Sequence, residues 1–154
     1  MKLDVIIPCY NEEGNILILN DKIKEVLNNI NYQIIYINDG STDNTYNKLE
    51  EIYKQDKEHV KVINFSRNFG KDAAMYAGMR YSTSKYCAII DSDMQQNPKY
   101  LLQMLNFLTL ILLSFILGNY IILLYLQYLK WGKRKDKIQE NFRFFLQFII
   151  LMIQ

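Results

Sequence analysis

Cysteine and histidine are nearly absent from this chain of 154 residues: two cysteines, Cys9 and Cys87, and a single histidine, His59. Two isolated cysteines do not make a disulfide framework, so a reducing compartment is expected. So few nitrogen and sulfur ligands argue against a zinc site. A Ser-His-Asp triad would have to recruit His59, which lies in a polar stretch ahead of an apolar run and reads as a surface residue. Lys2 and Asp4 flank an opening run too short for the apolar core of a signal peptide, so none is expected. The first hundred residues contain no cluster of Lys and Arg, which argues against a nucleic-acid binder. No internal repeat is evident.

What is present describes a folded chain. Half of the residues are hydrophobic and 22% are charged, which excludes a disordered polymer. The length suits one domain with a real core. The formal charge of +2 conceals an asymmetry. Residues 1–100 are slightly acidic, whereas residues 101–154 are basic and carry the most apolar stretch. Basic residues beside apolar ones point toward a membrane surface.

Residues 1–100 alternate short apolar runs with segments of helical period. Strands are expected at Leu3–Pro8, Gln33–Ile37, Val60–Phe65 and Tyr86–Ile90. The first and third runs are nearly continuous in apolar residues, as expected of strands covered on both faces. Apolar residues at 16, 19, 23, 26, 27 and 30 predict a helix over Gly14–Asn29. A second helix is expected over Asp43–Lys57, capped by Ser41 or Thr42 with Asp43 in its first turn. Small residues in Phe69–Tyr81 predict a third helix able to pack closely, and Asn97-Pro98 opens another with proline at its first position. Strands alternating with helices imply βαβ units and a parallel α/β sheet.

Each strand is followed by an unusual polar cluster. These are Pro8-Cys9-Tyr10-Asn11-Glu12, Asn38-Asp39-Gly40-Ser41-Thr42-Asp43, Ser66-Arg67-Asn68-Phe69-Gly70-Lys71 and Asp91-Ser92-Asp93. A parallel sheet places all four loops on its carboxyl edge, where ligands bind. Asp91 and Asp93, two positions apart at a strand end, converge on one hard cation if the chain turns between them. Mg²⁺ or Mn²⁺ takes such oxygen ligands and keeps positions open for diphosphate oxygens. A carboxylate after an apolar strand, as at Asp39, suits a nucleobase N–H or ribose hydroxyls, and Gly40 permits a positive φ. An ordinary turn explains the same residues. Tyr10, Asn11 and Glu12 either line a base pocket or cap the first helix. Arg67 and Lys71, before and at the start of a helix, either hold phosphate or stand solvated. A phosphate-cradling loop of the nucleotidyltransferase kind is disfavoured, because Pro8–Gly14 offers a lone glycine and two acids that repel phosphate.

Together, Val5-Ile6-Ile7-Pro8-Cys9-Tyr10-Asn11-Glu12, Ile37–Asp43, Ser66–Lys71 and Asp91-Ser92-Asp93-Met94-Gln95-Gln96-Asn97-Pro98 resemble family 2 glycosyltransferases. The similarity is strongest to dolichol-phosphate mannose synthases and bacterial polyprenyl-phosphate glucosyltransferases, over roughly residues 3–105. The resemblance implies a GT-A (Rossmann-like) fold and a UDP- or GDP-sugar donor. It also implies Mg²⁺ or Mn²⁺, and inverting transfer to a polyprenyl or dolichyl phosphate at the cytoplasmic face of a membrane. By the same resemblance Pro8, Tyr10 and Glu12 line the nucleobase and Asp39 contacts the nucleoside. Asp91, Ser92 and Asp93 form the D-x-D motif, with Asp93 as the leading metal ligand, and Gln95 stands near metal and phosphate.

Two segments are expected: an incomplete nucleotide-sugar domain at 1–104 and an apolar, basic tail at 105–154. After Pro98 the chain departs from the family pattern. Gly132-Lys133-Arg134-Lys135-Asp136-Lys137, followed by Glu140-Asn141-Phe142, faintly resembles the family's Gly-x-Arg-x-x-Arg stretch, but too far downstream. Leu105–Leu129 is long enough for a transmembrane helix, although Lys130–Lys137 would then lie on the far side, against the positive-inside rule. An interfacial helix pair that includes Phe142–Ile153 is a second reading. A disrupted reading frame in AT-rich DNA is a third. The alternative to an active glycosyltransferase is a truncated chain that binds donor or membrane without turnover.

Overall fold

The computed structural model describes residues 2–116. Two Ile/Val-rich segments, β1 (Lys2–Cys9) and β2 (Asn31–Asn38), form the centre of a four-stranded sheet. β3 (Val60–Asn64) and β4 (Tyr86–Ile89) flank them in the order β3-β2-β1-β4, and every pairing is parallel. β-branched side chains suit this pleated, covered surface.

The two faces of the sheet follow the period-two alternation of β1. Val5, Ile7 and Cys9 pack with Ile16, Leu19, Ile23 and Leu27 of helix α1 (Ile16–Leu27). The same cluster takes in Leu49 and Ile52 of α2 (Thr45–Gln55) and Leu101 and Leu105 of α4 (Lys99–Ile116). Ile6, with Ile35 and Ile37 of β2, faces the other way onto Ala74 of α3 (Lys71–Tyr81). α3 lies unusually close to the sheet. A Cβ at Gly78 would stand 2.4 Å from Ile6 Cγ2, so the small residues of this helix do allow close packing.

The chain thus winds β1-α1-β2-α2-β3 on one face and crosses through α3 on the other to reach β4. The strand order reverses between β1 and β4, the switch point where α/β sheets bind ligands. At its amino edge β1 is anchored by Asp4, fully buried, which accepts hydrogen bonds from the Ser82 and Ser84 hydroxyls at 2.8 and 2.6 Å and from the Thr83 and Ser84 amides.

Three expectations need correction. β3 is not covered on both faces: only Val60 is fully buried, because β3 is an edge strand among the described residues. Neither Ser41 nor Thr42 caps α2. That helix begins at Thr45, whose amide binds Asp43 Oδ1 at 3.0 Å, while Ser41 and Thr42 are engaged by Asn11. α4 begins at Lys99, one residue after Pro98; the Pro98 carbonyl accepts the Leu101 amide and Asn97 Oδ1 accepts the Lys99 amide, both at 3.0 Å. Contacts divide the chain after Phe107. Among the described residues no helix is long and apolar enough to cross a membrane. Leu105–Leu129 runs past the described residues, and Lys130–Lys137, Glu140–Phe142 and Phe142–Ile153 lie wholly outside them.

Candidate active site

All four loops at the carboxyl edge contribute to one open cleft of about 250 Å³. Pro8 at the end of β1 and Tyr10 and Glu12 after it enter the cleft, with Asp39 after β2, Asn68 and Gly70 before α3, Lys71 at its first position, and Asp91, Ser92 and Asp93 after β4. Of the residues singled out in the sequence, Arg67 and Gln95 do not line it. The Arg67 guanidinium lies 4.4 Å over the Phe69 ring, and the Gln95 amide donates to Asp93 Oδ1 at 3.0 Å. His59 is at the amino edge of the sheet, paired with Asp56 at 2.9 Å and stacked on Tyr32.

The loops are joined in a ring. The first meets the second through the Asn11 amide on Ser41 Oγ, the Thr42 amide on Asn11 Oδ1, and the Glu12 amide on Thr45 Oγ1 at 2.8 Å. This engagement places Asn11 at φ 56, a left-handed conformation that asparagine tolerates. The second meets the third through Asp39, whose two oxygens accept the Phe69 amide at 2.7 Å and the Gly70 amide at 2.9 Å. Gly40 permits this approach: its φ is 65, and a Cβ there would stand 2.3 Å from the Arg67 carbonyl carbon. The third meets the fourth through Lys71 Nζ on Asp91 Oδ1 at 2.5 Å. The fourth returns to the first across the switch point, where the buried Ser92 hydroxyl donates to the Pro8 carbonyl at 3.0 Å.

The cleft is acidic. Glu12, Asp39, Asp91 and Asp93 line it, and Lys71 is the cation among its lining residues. The Lys71 and Asp91 side chains are 57% and 27% exposed. A pair so exposed is worth about 0–1 kcal/mol. Cys9 also lines the cleft but is no nucleophile: burial, then the Glu12 charge, pushes its thiol far above the ordinary range. Cys87 is likewise raised by burial and by Asp4.

Among the described residues no group of three or more His, Cys, Asp or Glu side chains is placed to hold a metal. A hard cation would therefore take Asp91 and Asp93 and complete its shell with ligand and solvent oxygens, as Mg²⁺ and Mn²⁺ do. The chain turns at Ser92–Asp93 and Met94 adopts φ 64. Asp91 already faces a cationic group, the Lys71 ammonium, and Asp93 lines the same cleft, so the oxygen donors present are of the kind a hard cation takes.

Sequence reasoning passed over Asn68 and Gly70. Asn68 Oδ1 accepts the Gly70 amide at 2.9 Å, and Gly70 takes φ 98 to turn the chain into α3. Both stand in the Ser66–Lys71 cluster, where a glycine just before a helix was the available signal.

Comparison with known proteins finds glycosyltransferases among those this chain resembles. The profile of Glycosyl transferase family 2 matches residues 4–149. An uncharacterized glycosyltransferase of Synechocystis is 38% identical over 108 residues, covering 69% of this chain and 34% of the relative. The dolichol-phosphate mannosyltransferase of Pyrococcus furiosus is 34% identical over 99 residues, covering 64% of this chain and 28% of the relative. The chain therefore spans about a third of the length of the curated relatives it matches. The crystal structure of S. aureus TarS 1-349, also solved in complex with UDP, shares the fold. Its TM-score is 0.56 at 24% identity, over 71% of this chain and 32% of that one.

Proposed function

The chain belongs to glycosyl transferase family 2, and from that membership we propose that its four-loop cleft binds a nucleotide-diphosphate sugar for inverting, metal-dependent transfer to a polyprenyl or dolichyl phosphate. The observation that carries the reading is the convergence of Tyr10, Glu12, Asp39, Lys71, Asp91 and Asp93, from four separate loops, on one cleft at the sheet's switch point. The name of the Pyrococcus furiosus relative supports a lipid-phosphate acceptor. Transfer would take place at the cytoplasmic face of a membrane.

Each residue's part follows from its chemistry. Tyr10, 44% exposed beside Pro8, offers an aromatic face to a uracil or guanine ring. Glu12 holds the Asn15 amide group through Oε2 at 2.7 Å, leaving its other oxygen to a base N–H or a ribose hydroxyl. Asp39 fixes the Phe69–Gly70 loop under the nucleoside. Asp91 and Asp93 would hold Mg²⁺ or Mn²⁺, which stabilises charge on a departing nucleoside diphosphate. Lys71 brings a positive charge to the same diphosphate. Arg67 and Gln95 border this group without lining it. An acceptor phosphate is already ionised, so its oxygen attacks the anomeric carbon without a strong base. The bond to the diphosphate breaks with its electron pair leaving on oxygen, and the configuration inverts.

Mn²⁺-dependent binding of UDP- and GDP-sugars, by calorimetry on the wild type and Asp93→Ala, tests the site. Binding should fall at least tenfold in the variant, and equal binding would overturn the metal assignment. Transfer of labelled sugar to polyprenyl phosphate then tests turnover. Donor binding without transfer would assign this chain the donor step alone.

A further inference from the structure

Of the four joins that close the ring of loops, three include a backbone group: Asn11 and Glu12 on the second loop, Asp39 on the Phe69 and Gly70 amides, and Ser92 on the Pro8 carbonyl. The fourth, Lys71 on Asp91, consists of side chains only, and its lysine is 57% exposed. The root of that lysine is fixed. Gly70 is tied to Asp39, and Lys71 is the first residue of α3, a helix pressed against Ile6 and Ile37 at Gly78. Its head, paired with Asp91 and more than half exposed, ends a flexible four-carbon stem. A fixed root, a mobile ammonium and a carboxylate of a cation site make an exchangeable counter-ion.

We propose that the Lys71 ammonium and a divalent cation compete for Asp91, and that a nucleoside diphosphate relieves the competition by drawing Lys71 onto its own phosphate oxygens. This rests on the reading of Asp91 and Asp93 as the metal carboxylates. Its consequence is an order of binding. With Lys71 on Asp91, part of the carboxylate charge that a divalent ion needs is already neutralised, so the metal alone binds weakly. A diphosphate offers Lys71 a stronger anion and also supplies metal ligands of its own. Metal and nucleotide are therefore loaded together, and the acidic cleft does not retain free divalent ions. The proximity of Asp39, Glu12 and Asp93 in the same cleft keeps Lys71 within a negative field while it moves.

The test is Mn²⁺ titration, without nucleotide, of the full chain as wild type, Lys71→Met and Asp93→Ala, followed by UDP and GDP titrations in the presence of Mg²⁺. Loss of an exposed ion-pair competitor should tighten Mn²⁺ roughly twofold to fivefold in Lys71→Met, and the gain should shrink in 0.5 M KCl, where exposed charges are screened. The same variant should bind UDP and GDP more weakly. These opposite signs separate a counter-ion from a merely structural lysine, whose loss would weaken both. Lys71→Gln repeats the measurement should the methionine variant not fold. If Asp93→Ala loses Mn²⁺ while the Lys71 variants bind it no more tightly than wild type, the competition is overturned and the metal site stands. If Asp93→Ala binds Mn²⁺ as well as wild type, the metal reading itself is overturned and this inference with it.

Discussion

Asp39 Oδ2 accepts the Gly70 amide at 2.9 Å while Oδ1 takes the neighbouring Phe69 amide, and the carboxylate is 3% exposed. The residue that sequence similarity assigns to the nucleoside is thus also a clasp on the protein's own loop. Asp39→Ala strands two amides and should cost about 2–4 kcal/mol of stability without any ligand. Asp39→Asn, which keeps one acceptor oxygen, should cost less. Urea unfolding measures both. A residue that served only the nucleoside would leave the ligand-free midpoint unchanged.

Two glycines set how closely elements approach one another. Gly78→Ala gains about 1 kcal/mol of helix propensity but drives a methyl to 2.4 Å from Ile6 Cγ2. That β-branched atom is buried on a central strand and cannot move aside, so overpacking of about 1–3 kcal/mol wins. Gly40→Ala meets the Arg67–Asn68 backbone as well as a left-handed φ of 65. It should be the worse of the two, and should also weaken nucleotide binding, because it displaces the loop that carries Lys71. Thermal melts and UDP titration order the pair.

Acid should unfold the protein in part through Asp56 and Asp4. Burial pushes the Asp56 carboxyl up, but hydrogen bonds from Lys24 and His59 outweigh it and hold it at about 2, against an ordinary 3.8. Burial likewise raises Asp4, and the Ser84 and Ser82 hydroxyls with the Ser84 and Thr83 amides reverse the shift and leave it lowered. A depressed folded pKa contributes stability above the unfolded value, and that stability is lost as pH falls through the folded one. For Asp56 this is about 2 kcal/mol, disappearing between roughly pH 4 and pH 2. Unfolding free energy measured across that window should fall less steeply in Asp56→Asn and in Asp4→Asn than in the wild type.

Strand positions, the parallel order and the gathering of four loops follow from local signals: apolar runs, helical periods and the polar clusters between them. What the loops do with their side chains does not. Ser41 and Thr42 look like helix caps in sequence, yet Asn11, some thirty residues earlier, takes both, and the helix starts later. Asp39 shows no sign in sequence that the Phe69 and Gly70 amides occupy it. The Lys71–Asp91 pair joins the first residue of α3 to a residue just past β4. Val60–Phe65 reads as a buried strand because its composition is apolar, and only the strand order reveals it as an edge among the described strands. Pairings of this kind depend on which elements become neighbours, and no periodicity encodes them.

Ser92 gives the sharpest contrast between motif and geometry. It stands between Asp91 and Asp93 in the D-x-D segment, but its hydroxyl is buried and donates to the Pro8 carbonyl at 3.0 Å. It holds the aspartate turn against the first loop across the switch point, and its oxygen is directed to the protein backbone. Ser92→Ala should therefore cost about 1 kcal/mol of ligand-free stability and lower Mn²⁺ and UDP affinity only a fewfold, because both carboxylates remain. Asp93→Ala should do the reverse, sparing stability and removing most metal binding, since its side chain holds little beyond the exposed Gln95 amide. Urea midpoints and Mn²⁺ titrations on the two variants would be crossed in this way. A Ser92 variant that loses metal as completely as Asp93→Ala, with its midpoint unchanged, would place the hydroxyl on the ligand instead of on Pro8.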